Sequence, residues 1–353
     1  MNKGGDMSET HEIRHFEEMI RKGTDDINCY FKLASLYFDK GKYEEVLSLY
    51  NGLSEKKLTI IEQGRVLYEK GVACQILNRI EDALSFFRIS LKKIQKVKDS
   101  IEALDIKGLN FYSIFNLSQS EEEKIRYATK ALDCFNKLKT QFKVREEDYS
   151  VNSYLAGIYE KIGQYDNSLN LYNEIIESST DLHDRVWAMV GAASIYELKG
   201  DYQNSLTCLI DALKRAGNTV PTSKIYFDLG KLHFTTKVYE AAKEAFQNAL
   251  FKMKEEILLK DNEEYKIDIS WYLGSIAYNL GENEDFISYF TDLLRKIGTN
   301  HFYYPNINIT LGHFYSEKND FIKSRYYYEK ARLSETISEE ELKMVEECLT
   351  RIA

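Results

Sequence analysis

His11 and His15 stand one helical turn apart near the start of the chain, a spacing that can turn two imidazoles toward one metal ion. Protein metal sites take three or four donors, and no third one follows at a matching distance, so the pair reads as two exposed histidines on a terminal helix. The five cysteines, at 29, 74, 134, 208 and 348, are scattered. No two can form a CxxC pair, and an odd, unclustered set fits reduced thiols in a cytoplasm better than a disulfide framework. No phosphate-cradling GxxxxGK[ST] loop, no GxGxxG and no HExxH occurs. The run Glu121 to Glu123 opens a helix, where the dipole favours negative charge, and is a capping feature rather than a pair of catalytic carboxylates. The sequons Asn116-Leu117-Ser118 and Asn308-Ile309-Thr310 carry no weight without a secretory signal. The expectation is therefore no catalytic residue, no metal and no cofactor, with function carried by surface.

The composition narrows what that surface meets. A net charge of −9, from 47 basic and 56 acidic residues, argues against nucleic acid as the main partner. The longest nearly apolar run, Val186 to Tyr196, falls well short of the roughly 20 residues of a membrane helix, and the N-terminus has no signal-peptide core. The expectation is a cytoplasmic protein with no membrane insertion. With 44% hydrophobic residues the chain can bury a core, and with only Pro221 and Pro305 almost nothing forbids helix.

The elements show themselves by repetition. Tyr37 to Tyr50 (YFDKGKYEEVLSLY) returns as Tyr159 to Tyr172 (YEKIGQYDNSLNLY) and as Tyr196 to Leu209 (YELKGDYQNSLTCL). Aligned on Gly41, Gly163 and Gly200, the register extends to turns at Asn78, Lys237, Gly281 and Asn319. Seven residues before the turns lie Ala34, Gly71, Ala156, Ala193, Gly230, Gly274 and Gly312, with Gly108 in an irregular third unit. Five residues after them come mostly small residues, Val46, Ala83, Ser168, Ser205, Ala242 and Ser324, with Ala128 assigned to the third unit. One turn further come Tyr50, Phe87, Leu132, Tyr172, Leu209, Phe246, Phe290 and Tyr328. Antiparallel helices approach to about 8–10 Å only where small side chains meet, so the two small positions should face one another and the large ones fill the core. Phe286, large at a small position, and Ala277, small at a position otherwise tyrosine, read as a compensating swap in one hairpin. His233 and Cys74 hold core-tyrosine positions and Cys208 adjoins Leu209, so these three read as packing residues.

A helix pair with this pattern resembles the tetratricopeptide repeat family. LASLY with Val46 and Tyr50, LAGIY with Ser168 and Tyr172, DLGKLH with Ala242, Phe246 and Ala249, and LGHFY with Ser324, Tyr328 and Ala331 carry the resemblance over about residues 10 to 333. The tryptophan often found early in the family's first helix is absent, and most units run to 37 residues rather than 34. The resemblance implies an all-α fold, a right-handed α-solenoid of about eight helix-turn-helix repeats with terminal capping helices. Residues 1–10 are expected to be disordered and 11–24 to form the N-terminal cap, through Phe16 and Met19. Residues 25–333 hold the eight repeats, the third irregular over about 100–147, and 334–353 the C-terminal cap. Ser120 with Glu123 and Ser338 with Glu341 have the spacing of capping boxes. The apolar stripe Leu342, Val345, Leu349, Ile352 suits the closing helix. The whole reads as one solenoid, with the third unit a possible hinge.

In this family the first helices line the concave face. Helical stepping places Lys224, Phe227, Lys231 and Phe234 there, with Trp187, Trp271, Tyr278 and His313 in other units and Phe31, Phe38, Arg65, Tyr68 and Val72 in the first two. A merely solvated face would be mostly polar. Aromatics flanked by charges of both signs either anchor a peptide or pack neighbouring first helices together. The Lys and Asn clamp by which chaperone adaptors of the family hold a C-terminal carboxylate is missing, since Phe31 and Ser35 occupy its places. The reading is a non-catalytic scaffold or adaptor that binds a peptide or helix of a partner protein, as monomer or weak dimer. The alternatives are a peptide-sensing regulator, disfavoured because about 25 residues before the first hairpin leave no room for an effector domain, and a structural subunit using its convex face.

Overall fold

The computed structural model describes residues 3–24, 26–53, 58–142, 150–217, 220–256 and 263–352, and its helices fall in two compact units, residues 1–220 and 221–353. The first unit holds α1 (Lys3–Arg21), α2 (Ile27–Asp39), α3 (Tyr43–Asn51), α4 (Ile60–Ile76), α5 (Ile80–Ile94), α6 (Ile101–Leu117), α7 (Glu121–Gln141), α8 (Ser150–Lys161), α9 (Tyr165–Ser178), α10 (Leu182–Leu198) and α11 (Tyr202–Ala216). The second holds α12 (Ser223–Thr235), α13 (Tyr239–Met253), α14 (Glu263–Leu280), α15 (Asn283–Lys296), α16 (Tyr303–Glu317), α17 (Phe321–Arg332) and α18 (Glu339–Arg351). No strand occurs among the described residues. Between α1 and α18 the helices pair in order as eight hairpins, five in the first unit and three in the second, each unit an all-α solenoid.

The turns explain the breaks. Gly41, Gly163, Gly200 and Gly281 all have positive φ, and so do the non-glycines Asn78, Lys237 and Asn319, at 58°, 60° and 59°. Those are the seven turn positions of the sequence register, each carrying the left-handed residue that ends a first helix. The boundary between the two units follows the fifth hairpin, where Gly217 (φ 54°) follows α11 and Pro221 can donate no backbone bond.

The core of each hairpin is a small residue beneath a large one sixteen positions on. A Cβ on Gly230 would lie 2.7–2.8 Å from three ring carbons of Phe246, and one on Gly312 2.6–3.0 Å from the Tyr328 ring. Gly71 under Phe87 and Gly274 under Phe290 repeat the contact. The small residue one turn earlier does face its counterpart, and more specifically than size alone requires. Ser168 and Ser324 donate their hydroxyls to the carbonyls of Ala156 and Gly312 at 2.9 and 2.8 Å. Where alanine replaces glycine, the ring leans away: Tyr172, opposite Ala156, lies over Gly191 of the next first helix, and Tyr50, opposite Ala34, reaches Glu69 of the next. In the fifth hairpin the sixteen-residue pair is Ala193 and Leu209, both buried. Phe286 and Ala277 are both buried in one cluster, as the volume swap requires.

The third hairpin corrects the register. The ring over Gly108 belongs to Phe135, fully buried, and not to Leu132 three residues earlier, which is only partly buried. The turn from α6 to α7 is as short as in the regular hairpins, but both helices are longer on the turn side of the contact, so it spans 27 residues rather than 16. Ser120 is the N-cap of α7 but makes no side-chain capping bond, because Glu123 turns to Arg126 at 3.1 Å. The capping box at Ser338 and Glu341 does form, and Thr59 with Glu62 forms another. α1 begins at Lys3 rather than at residue 11, since a proline-free helix nucleated over 11–21 propagates at one bond per residue. Ile13 is its buried residue, with Phe16 and Ile20 beside it, and His11 and His15 are exposed. At the other end Val345 is buried with Tyr328 and Ala331, and Leu349 and Ile352 pack alongside.

Candidate functional site

Of the eight residues singled out on the first-helix face, Trp187 lies in the first unit and the other seven in the second. Phe227 is a core ring, 7% exposed, edge-on to Phe246 at 5.7 Å and 4.4 Å from Tyr265. It is buried because the stepping that marks the inner edge of α12 meets α14 directly, so Phe227 is withdrawn from the candidate surface. Trp271 is half-buried and locked in place. It stacks on Tyr303 (4.9 Å, 10°), lies 6.2 Å from Phe234, and donates from Nε1 to Asn306 at 3.3 Å. Tyr303 in turn donates its hydroxyl to Asp268 at 2.9 Å, and burial holds that phenol well above its usual range. These rings bridge the neighbouring first helices α12, α14 and α16, which is the packing alternative.

The remaining candidates are separate. Lys224 pairs with Asp228 at 2.7 Å, and Lys231 lies 5.9 Å over the Phe227 ring. Tyr278 packs on Phe286 within its own hairpin. His313 turns toward α17, its Nδ1 2.7 Å from the Tyr328 hydroxyl, and burial lowers its pKa against a weaker opposing effect of Glu317. Trp187, in the first unit, donates to His183 on its own helix at 2.9 Å. Among the packing residues, Cys74 is buried, Cys208 partly so, and burial lowers the pKa of half-buried His233.

A groove does open on the first-helix face of the first unit. It measures about 670 Å³ and lies across α2, α4 and α6, between Phe31, Arg65, Tyr68 and Leu109, with Glu62, Glu69, Glu102 and Asp105 around it. A smaller recess of about 470 Å³ adjoins it, sharing Asn28, Phe31 and Arg65 and adding Asp26, Lys32 and Ser35. The Arg65 guanidinium lies 4.2 Å above the Phe31 ring, close enough for a cation–π contact, and its Nε bonds Glu69 at 2.8 Å. The second oxygen of Glu69 accepts from the buried Tyr50 hydroxyl, so the shelf is braced from beneath by the first hairpin's core tyrosine. Burial raises the Tyr68 pKa well above the ordinary phenol value. The lining is therefore a flat apolar shelf edged by carboxylates.

Phe31, Arg65 and Tyr68 were legible on this face from helical spacing. Glu102, Asp105 and Leu109 were not, because the register was not carried through the irregular third unit. Their steps of three and four residues repeat those of Glu62, Arg65 and Glu69.

Residues 223–250, the hairpin of Gly230 and Phe246, match the model of the tetratricopeptide repeat. The same small-under-ring contact recurs at Gly71, Gly108, Gly274 and Gly312. Residues 223–250 thus form one tetratricopeptide repeat. No curated protein matches it in sequence. Two solved structures share the fold. A human IFIT1 dimer with m7Gppp-AAAA is 14% identical with a TM-score of 0.58, over 96% of this chain and 76% of that one. The apo form of the quorum sensor NprR from B. thuringiensis is 16% identical with a TM-score of 0.54, over 92% and 86%. No helix among the described residues is long and apolar enough to cross a membrane.

Proposed function

We propose that this protein is a non-catalytic adaptor, and that the groove across α2, α4 and α6 receives a segment of a partner protein rich in Lys or Arg. The observation that carries the reading is the lining itself: a Phe31–Arg65 shelf for an apolar or aromatic side chain, bordered by four carboxylates. An aromatic shelf gives contact area at small entropic cost, and the carboxylates choose the sign of the partner's charge. In residues 221–353 the half-exposed edge of Trp271, with Lys224 and Lys231, is the part of the earlier candidate surface that can still touch a partner.

The test is a synthetic peptide array probed with the full chain and with a Glu102→Gln/Asp105→Asn variant. Basic, aromatic-containing peptides bound by the first and lost by the second uphold the groove. Selection of peptides without basic residues, or equal binding by both proteins, would sink it.

A further inference from the structure

The irregular third hairpin opens a second cleft of opposite character, and it does not depend on the inner groove. With α6 and α7 both longer on the turn side of the Gly108 contact than the helices of the regular hairpins, a space of about 800 Å³ lies between α5 and α7, floored by α6. Five cations line it against two carboxylates, in a chain whose net charge is −9. The two carboxylates are engaged. Asp99 receives Lys107 at 3.1 Å and Lys137 at 3.5 Å, and Lys137 also holds Asp133 at 2.8 Å. Lys92 and Lys130 are exposed, and neither is ion-paired to a carboxylate among the described residues. Lys130 instead hangs over the rings of Phe111 and Tyr127, at 5.5 and 5.8 Å, and these rings stand 6.1 Å apart at the cleft wall.

We propose that this cleft binds an acidic peptide segment of a second partner, its carboxylates on Lys92 and Lys130 and an aromatic or apolar side chain against Phe111 and Tyr127. A local positive surface on an acidic protein favours a short anionic stretch. Screening confines its field to about 8–10 Å at physiological salt, and beyond that the chain's own charge repels a long polyanion. α6 thus has an acidic groove on one side, through Glu102 and Asp105, and a basic cleft on the other, through Lys107, suiting a scaffold that joins two partners of opposite charge.

The experiment is fluorescence anisotropy on the full chain with a labelled peptide of Glu and Phe, its Lys-and-Phe counterpart, and a single-stranded oligonucleotide. The Glu/Phe peptide should bind, weaken as salt is raised, and lose about tenfold in affinity in Lys92→Glu/Lys130→Glu. Both side chains are exposed, so unchanged helicity checks that this variant is folded. A Phe31→Ala/Arg65→Ala variant should bind the acidic peptide as the wild type does, which separates failure of this cleft from failure of the groove. No binding of the Glu/Phe peptide, binding indifferent to the lysine reversal, or displacement of the peptide by the oligonucleotide would each overturn the proposal.

Discussion

Replacing Gly230 by alanine should change sign in its effect according to what stands at residue 246. In the wild type the new Cβ would lie 2.7–2.8 Å from three carbons of the Phe246 ring, against an optimum of about 3.5–4.0 Å. The ring has nowhere to go: Phe246 is fully buried, stacked on Tyr272 at 4.8 Å and met edge-on by Phe227. Overpacking of this kind costs about 1–3 kcal/mol, while alanine's better helix propensity returns about 1 kcal/mol. The net loss should be about 1 kcal/mol. Phe246→Leu alone should cost about 1–2 kcal/mol through the space it leaves. In that background Gly230→Ala should stabilise by about 1 kcal/mol, because the obstructing ring is gone and the propensity gain remains. The fifth hairpin already contains this pair, as Ala193 and Leu209, both buried. The assay is urea unfolding of the four proteins by far-ultraviolet circular dichroism, read as a double-mutant cycle. A coupling of about 2 kcal/mol is expected. If Gly230→Ala has the same sign and size in both backgrounds, the small-under-ring contact does not govern the hairpin.

Lys237→Gly should raise stability by about 0.5–1 kcal/mol by relieving a left-handed backbone at a non-glycine, while Gly163→Ala should lower it by about 1 kcal/mol; thermal unfolding measures both. Trp271→Ala should cost about 2 kcal/mol, as a half-buried ring stacked on Tyr303; a variant as stable as the wild type would show that the ring does not hold the first helices together. His313 titrates lower in the folded chain than its ordinary 6.5, so its contribution is fully present above that value and is lost as pH falls through it toward the folded pKa. Unfolding curves between pH 7 and about 5 should therefore show a decline that His313→Asn reduces, with half-buried His233 supplying part of what remains.

Most of the fold was legible because it is written in local, periodic terms. The seven turns follow from glycine, asparagine and spacing, and a left-handed residue is demanded there whatever the tertiary context. Even Lys237, which no propensity would place in that conformation, was located by its distance from Gly230 and Phe246. The third hairpin was misread where periodicity stops: Leu132 was placed one turn after Ala128 by analogy with the regular units, and only the packing of Phe135 on Gly108 resolves it. The inner face was legible as a set of positions rather than as a surface. Helical stepping cannot tell a ring that faces solvent from one that meets the next first helix, so Phe227 and Trp271 looked alike to Phe31. The difference lies in the neighbours: Tyr265 and Tyr303 cover the first two, whereas the Arg65 guanidinium lies over the third.

The sixteen-residue contact also bears on how the chain reaches this state. A core made of pairs so near in sequence needs only short loops to close, which places each regular hairpin among the fast, locally nucleated elements of protein folding. In the third hairpin the same contact spans 27 residues, and closing that longer loop costs about 0.5 kcal/mol more in chain entropy, roughly a twofold delay if closure limits the rate. The segment that carries both the acidic groove and the basic cleft would then be the last of its neighbours to order.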